Sequence, residues 1–232
     1  MASEQLTFEL PVRQALGREA FFTAPSNAIA VGVVSAWRDW LRHRLVLVGA
    51  RGSGKTHLAQ VWQSETSARI MPATRLASAL PDAQLEAGFL VVEDIDAIAG
   101  KAGMEHALLH LLNMAEATGV SLLMTTRMAP ARLKIGLADL ASRLGATQVA
   151  RLEPPDDALL AAMLVKHFSD RQLVVKPDVV TYLVSRMDRS AAAVGRLAAA
   201  LDRAALAQNR ALTRRLAAEV LEEGQKNPSF RQ

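Results

Sequence analysis

The sequence predicts a three-layer α/β domain, a five-stranded parallel sheet between helices, followed by a small C-terminal helical domain. Three observations lead there. Apolar runs at 89–93 and 120–126 are too continuous for strands with one wet face and read as buried parallel strands, and a short apolar run at 45–49 reads as a strand before a Gly-rich turn. Segments of helical spacing alternate with these runs. After Pro154-Pro155 the strand-like runs stop, and Ala- and Leu-rich segments follow. The expected divisions are an N-terminal extension over 1–20, the α/β domain over 21–154 and the helical domain over 155–232.

The elements follow in order. QLTFELP at 5–11 alternates Leu6, Phe8 and Leu10 with Thr7 and Glu9, the period of a strand with one apolar face. No adjacent run pairs with it, so it is either an edge strand or an extended peptide for another protein's groove. LVLVG at 45–49 is the first core strand; a Gly-rich turn and the helical THLAQVWQ come next. ARIM at 68–71 and FLVVE at 89–93 are two further strands. GMEHALLHLLNMAEATG is a helix with Leu108, Leu111 and Leu112 on one face and Gly119 as its stop. VSLLMTT at 120–126 and TQVARLEP at 147–154 complete the sheet. Four helices are expected near 156–168, 177–186, 189–208 and 213–223; the alanines at 191–193 and 198–200 are good helix formers in close packing.

Composition narrows the function classes. With 232 residues, 50% of them hydrophobic, the chain can bury one large core, or a main domain and a small one, without staples. It has no cysteine, which removes disulfides, thiolate metal sites and cysteine nucleophiles and fits a reducing cytoplasm. The start shows no basic stretch leading into an apolar one, and no run reaches the roughly 18 apolar residues of a membrane span. The expectation is a soluble, unprocessed cytoplasmic protein without a membrane partner. The net charge of +4 comes from scattered arginines, and the 4% aromatic residues do not interleave with them. DNA contact is expected to be weak or indirect.

GARGSGKT at 49–56 carries the chemistry. It matches G-x-x-x-x-G-K-[ST] between a predicted strand and a predicted helix, the context that this phosphate-binding motif requires. Gly49, Gly52 and Gly54 let backbone N–H groups turn toward phosphates, Lys55 can reach the β- and γ-phosphates, and Thr56 offers a hydroxyl to Mg²⁺. ATP or ADP with Mg²⁺ is the expected cofactor. Such a loop needs acids at a neighbouring strand end, and FLVVEDIDAI supplies Glu93 and Asp94 as catalytic candidates, Glu93 also as a metal ligand. The usual order begins with Asp, so the longer Glu93 puts the hydrolytic geometry in question. His106 and His110 share a helix face, but no third ligand completes a zinc site. Met104, Met114, Met124, Trp37 and Trp40 read as core or lining residues.

The order of these features resembles the AAA+ module of the DnaA family of bacterial replication initiators, and within it the short regulatory homologues of the Hda type. The resemblance spans nearly the whole chain. FFTAPSN at 21–27 is similar to the segment that lies over the adenine, adding Phe22 and Asn27 to the nucleotide-binding candidates; GARGSGKTHL is the Walker A region and adds Arg51, Ser53 and His57. LVVEDIDAI resembles Walker B, LHLLN at 109–113 the following helix, and LLMTTR at 122–127 the sensor 1 strand, with Thr125 and Thr126 as polar candidates. DLASRL at 139–144 is similar to the segment carrying the arginine finger, which makes Arg143 the finger candidate. Two departures stand out. Arg127 occupies a place where a shorter polar residue is expected, and the sensor 2 arginine position falls on Gly195, with Arg196 about 100° further around the helix. Hda-type proteins begin with a Q-L-x-[LF] peptide for the replicative sliding clamp, and Gln5, Leu6 and Phe8 match it, with Leu10 as a further anchor.

The resemblance implies a negative regulator of replication initiation: an AAA+ protein holding ADP or ATP, docked on the sliding clamp, that stimulates ATP hydrolysis by DnaA with Arg143 acting in trans. Self-association is expected too, since AAA+ modules share sites between subunits. The competing expectation is an autonomous ATPase or helicase-loader-like protein acting on single-stranded DNA.

Overall fold

The computed structural model describes residues 22–79, 88–208 and 210–226. The peptide residues Gln5, Leu6, Phe8 and Leu10 lie outside them.

All five predicted strands form. They are β1 (Arg44–Gly49), β2 (Arg69–Pro72), β3 (Phe89–Glu93), β4 (Ser121–Thr126) and β5 (Gln148–Leu152). Every pairing is parallel, and the sheet order is β2-β3-β4-β1-β5. The sequences follow from this order. β1 and β4, near the centre, are buried at every position and read as continuous apolar runs. β2 and β5 stand at the edges with several exposed residues, and carry Arg69 and Arg151.

Alternate residues of each strand feed opposite layers. On one face Val46, Val48, Leu90, Val92, Leu122 and Met124 pack with Leu108, Leu111 and Leu112 of α4 (Ala102–Thr118) and Leu140 and Leu144 of α5 (Ala138–Gly145). On the other, Leu45, Leu47, Val91 and Leu123 meet Ala30 and Val34 of α1 (Ala28–Ser35) and Leu58, Ala59 and Trp62 of α2 (Lys55–Thr66). Trp40 stacks on the fully buried Trp62 at 5.2 Å, and Phe89 meets Trp62 edge-on at 5.9 Å. α3 (Leu76–Ala79) buries Leu76 in the first of these cores. Gly119, at φ 73°, stops α4 in the left-handed conformation that glycine adopts without steric cost.

The second compact unit gathers Phe22–Ser26 with the described residues from Pro154 onward. Its helices are α6 (Asp157–Asp170), α7 (Pro177–Val184), α8 (Ala191–Gln208) and α9 (Arg214–Lys226). Their apolar faces share one core, with Leu164 and Phe168 against Leu183, Val194, Leu197 and Leu201. Asp156 caps α6 by accepting from the Leu159 N–H at 2.8 Å, while its other oxygen accepts from the Ser26 N–H at 3.2 Å. Pro177 starts α7, where its missing N–H leaves no bond unmade. Among the described residues no helix is long and apolar enough to cross a membrane.

Candidate functional site

The glycine-rich loop leaves the sheet at the end of β1. A Cβ on Gly49 would lie 2.5 Å from Ser53 Oγ and 2.9 Å from the Leu152 carbonyl oxygen, so the strand-to-loop junction accepts only glycine. Gly54, at φ 100°, then turns the chain into α2 through a region that costs an L-residue about 1–2 kcal/mol. Lys55 and Thr56 open that helix, at the positive end of its dipole. Lys55 is buried, and its Nζ donates to the carbonyls of Gly49 (2.8 Å) and Ala50 (3.0 Å). Burial draws the ammonium below its ordinary pKa; Asp94 and Asp96 oppose this, Arg127 adds to it and Glu93 opposes it. Thr56 and Arg51 are exposed, while His57 is half-buried on α2.

Two buried polar atoms mark what the loop fits. Ser53 Oγ and Glu93 Oε1 have no hydrogen-bond partner among the described residues. Leaving such groups unpaired costs about 1–3 kcal/mol each. Phosphate oxygens accept hydrogen bonds from a hydroxyl such as Ser53, and a divalent cation is the natural partner of a carboxylate oxygen such as that of Glu93. The donor set therefore fits nucleotide phosphates with Mg²⁺. Lys55 and Ser53 would hold the phosphates, and Thr56 and Glu93 the metal.

The ends of β3, β4 and β1 lie side by side next to this loop, where open parallel sheets bind their ligands. Asp94 is exposed in a left-handed conformation at φ 54° and donates its N–H to Thr125 Oγ1 at 3.0 Å. Thr125, rather than Thr126, is thus the β4 side chain that touches the acidic strand end. Thr126 is buried and donates its hydroxyl to the Met128 carbonyl at 3.1 Å, closing its own turn. Arg127 is tied down by Asp96, with Nε donating to Oδ2 at 2.6 Å and the backbone N–H to Oδ1 at 3.1 Å. Burial pushes the Asp96 carboxyl up, but its bonds and charge contact with Arg127 outweigh this and hold it below the ordinary range.

The other candidates are placed as follows. Asn27 is buried just ahead of α1, and Phe22 is half-buried among the residues that group with the helical unit. In α8, Gly195 and Arg196 are both half-buried; a Cβ on Gly195 would sit 3.9 Å from His167 Cε1, an ordinary contact. Arg143 lies on α5 and lines an open cleft of about 540 Å³ with Arg42, Asn113, Glu116, Ala117 and Asp139. Its Nη1 is 3.4 Å from Glu116 and its Nε 3.3 Å from Asp139. Glu116 is also paired with Arg44, the first residue of β1. The glycine-rich loop follows the last, and five steps of about 3.3 Å along the strand separate the two. Arg143 therefore works away from the chain's own phosphate loop.

Sequence reasoning missed Glu105, Arg42, Arg44 and Glu116. Glu105 carried a signal, a charge in the apolar stripe of α4, where it is buried. Arg42, Arg44 and Glu116 form no pattern in the sequence until the fold brings them together.

Comparison with known proteins agrees with this fold. Residues 156–221 match the family described as the lid domain of Hda. The chain is 28% identical over 200 residues to the chromosomal replication initiator protein DnaA of Caulobacter sp. (strain K31), covering 74% of this chain and 41% of that protein. The chain thus spans about two fifths of the length of that curated relative. Domain III of the Thermotoga maritima replication initiation protein DnaA superposes with a TM-score of 0.73 at 20% identity, covering 88% of this chain and 94% of that one. AMPPCP-bound DnaA from Aquifex aeolicus gives 0.64 at 17% identity, covering 76% and 62%.

Proposed function

We propose that this chain, by its likeness to AAA+ proteins of the DnaA and Hda family, acts in replication as a nucleotide-bound regulator that switches the initiator off. It holds ADP on the Gly49–Thr56 loop, docks on the sliding clamp through Gln5, Leu6, Phe8 and Leu10, and stimulates ATP hydrolysis by DnaA. The observation that carries this reading is Arg143, half-exposed in an open cleft and separated from its own phosphate loop by the length of β1. A guanidinium so placed serves a nucleotide on another subunit. There it stabilises charge that develops on the terminal phosphoryl group as water attacks.

On the chain's own nucleotide, Lys55 and Ser53 bind the phosphates, and Gly49 lets the backbone approach. Bound Mg²⁺ would neutralise phosphate charge and orient the terminal oxygens. Arg127, committed to Asp96, and Gly195, at the family's sensor 2 position, both favour holding a nucleotide over turning it over.

The test is reconstituted hydrolysis of DnaA-bound ATP on DNA-loaded clamp. The intact chain should accelerate turnover; Arg143→Ala should remove about a thousandfold of the stimulated rate. A chain lacking residues 1–10 should lose its dependence on the clamp. If all three behave alike, the regulatory reading is wrong.

A further inference from the structure

Arg42, Arg44 and Arg143 converge on one carboxylate. Glu116 lies 3.6 Å from Arg42 Nη1, 3.8 Å from Arg44 Nη1 and 3.4 Å from Arg143 Nη1. Asp139 contributes the second negative charge, on Arg143 alone among these three. Three guanidiniums thus meet two carboxylates: Arg42 and Arg143 line the cleft with Glu116 and Asp139, and Arg44 is the third cation, buried and paired with Glu116.

Two further features show that the cluster is built rather than incidental. Arg44 is only 3% exposed, its guanidinium is directed at Glu116, and neither of its terminal nitrogens has a hydrogen-bond partner among the described residues. Burial lowers its pKa, Glu116 raises it, and Arg42 and Arg143 lower it further, so the cations repel one another across their shared anion. Arg42 and His43 are also consecutive non-glycine residues in the left-handed region, at φ 53° and 54°. L-residues avoid that region, and such strain persists where the surroundings over-determine it. Here it precedes β1 directly and delivers the half-exposed Arg42 side chain to the cleft.

We propose that Arg42 is a second arginine of the trans-acting site: with Arg143 it takes the terminal phosphoryl group of a nucleoside triphosphate bound by a partner subunit, and Glu116, anchored by Arg44, holds both arginines until that group displaces it. This rests on the reading of Arg143 given above. In the partner's reaction the water oxygen bonds to the γ-phosphorus as the bond to the β-bridging oxygen breaks, yielding diphosphate nucleotide and inorganic phosphate, with the water's proton released. Charge accumulates on the equatorial and bridging oxygens, and two forked guanidiniums can bond more of them than one.

The experiment measures DnaA-bound ATP hydrolysis on DNA-loaded clamp over a concentration series of the intact chain, Arg42→Gly, Arg42→Lys, Arg143→Ala and the Arg42→Gly/Arg143→Ala double variant. Glycine removes the guanidinium and relieves the left-handed backbone, so Arg42→Gly should melt no lower than the parent. It should nevertheless lower the saturating stimulated rate about tenfold or more, with the half-saturating concentration changed less than about twofold. Arg42→Lys should recover part of the loss. The double variant should be within about twofold of Arg143→Ala, because the two residues act as a unit. Full stimulation by Arg42→Gly alongside an inactive Arg143→Ala would overturn the inference and leave the regulatory reading standing, as would a change confined to the half-saturating concentration. Full stimulation by Arg143→Ala as well would overturn the reading itself.

Discussion

The carboxylate of Glu105 shows how a single residue can hold separate parts of the chain together. It is almost wholly buried and accepts backbone N–H bonds from Gly100 at 2.7 Å, Gly136 at 3.0 Å and Leu137 at 2.9 Å. The latter two lead into α5, so this charge seats the start of the helix that bears Arg143. Burial raises its pKa, but the N–H groups of Gly136, Gly100 and Leu137 prevail and hold it below the ordinary 4.5. A depressed carboxylate stabilises the fold fully above its unfolded value and loses that contribution as pH falls through the folded one. Glu105→Gln should cost about 1–3 kcal/mol at neutral pH. Urea unfolding of both proteins from pH 8 down to 3 should show the gap closing below about pH 4.5; a gap that stays constant would mean the charge is not what matters. The phosphate loop was legible at this scale because its function depends on eight consecutive residues. Glu105 was marked only as a charge in an apolar stripe, since Gly100 lies five positions away but Gly136 and Leu137 lie 31 and 32 away, beyond any local pattern.

At the scale of elements, continuous burial made the central strands the most legible. β1 and β4 are buried throughout, and their unbroken apolar runs read as strands at once. α1 and α5 have eight residues each and periodicity did not mark them, whereas α7, of the same length, was expected near 177–186. α8 was expected from its alanines, with Gly195 as an interior weakness. Its neighbour His167 leaves room for a methyl group at 3.9 Å. Gly195→Ala should therefore stabilise the protein by up to about 1 kcal/mol, read as a higher urea midpoint with an unchanged slope. A loss of stability would show that the glycine answers a packing demand absent from this geometry.

For the molecule as a whole, the proposed nucleotide makes stability depend on ligand. ADP at about 100 times its dissociation constant should add about 2.7 kcal/mol, raising the melting temperature by about 5–10 °C for a chain of this size. Lys55→Ala should abolish that shift; a shift that survives it would place the ligand elsewhere. The sequence by itself determined the α/β class, the strand positions, the helical C-terminal unit and the phosphate loop, because each depends on neighbours in the chain, whose spacing is written in one dimension. Only the tertiary structure decided that Thr125 rather than Thr126 touches Asp94, that Asp96 captures Arg127, and that Arg42, Arg44 and Arg143 gather around Glu116. Those groups come from different strands, helices and loops. Their meeting is set by sheet order and packing, which no local pattern of residues encodes.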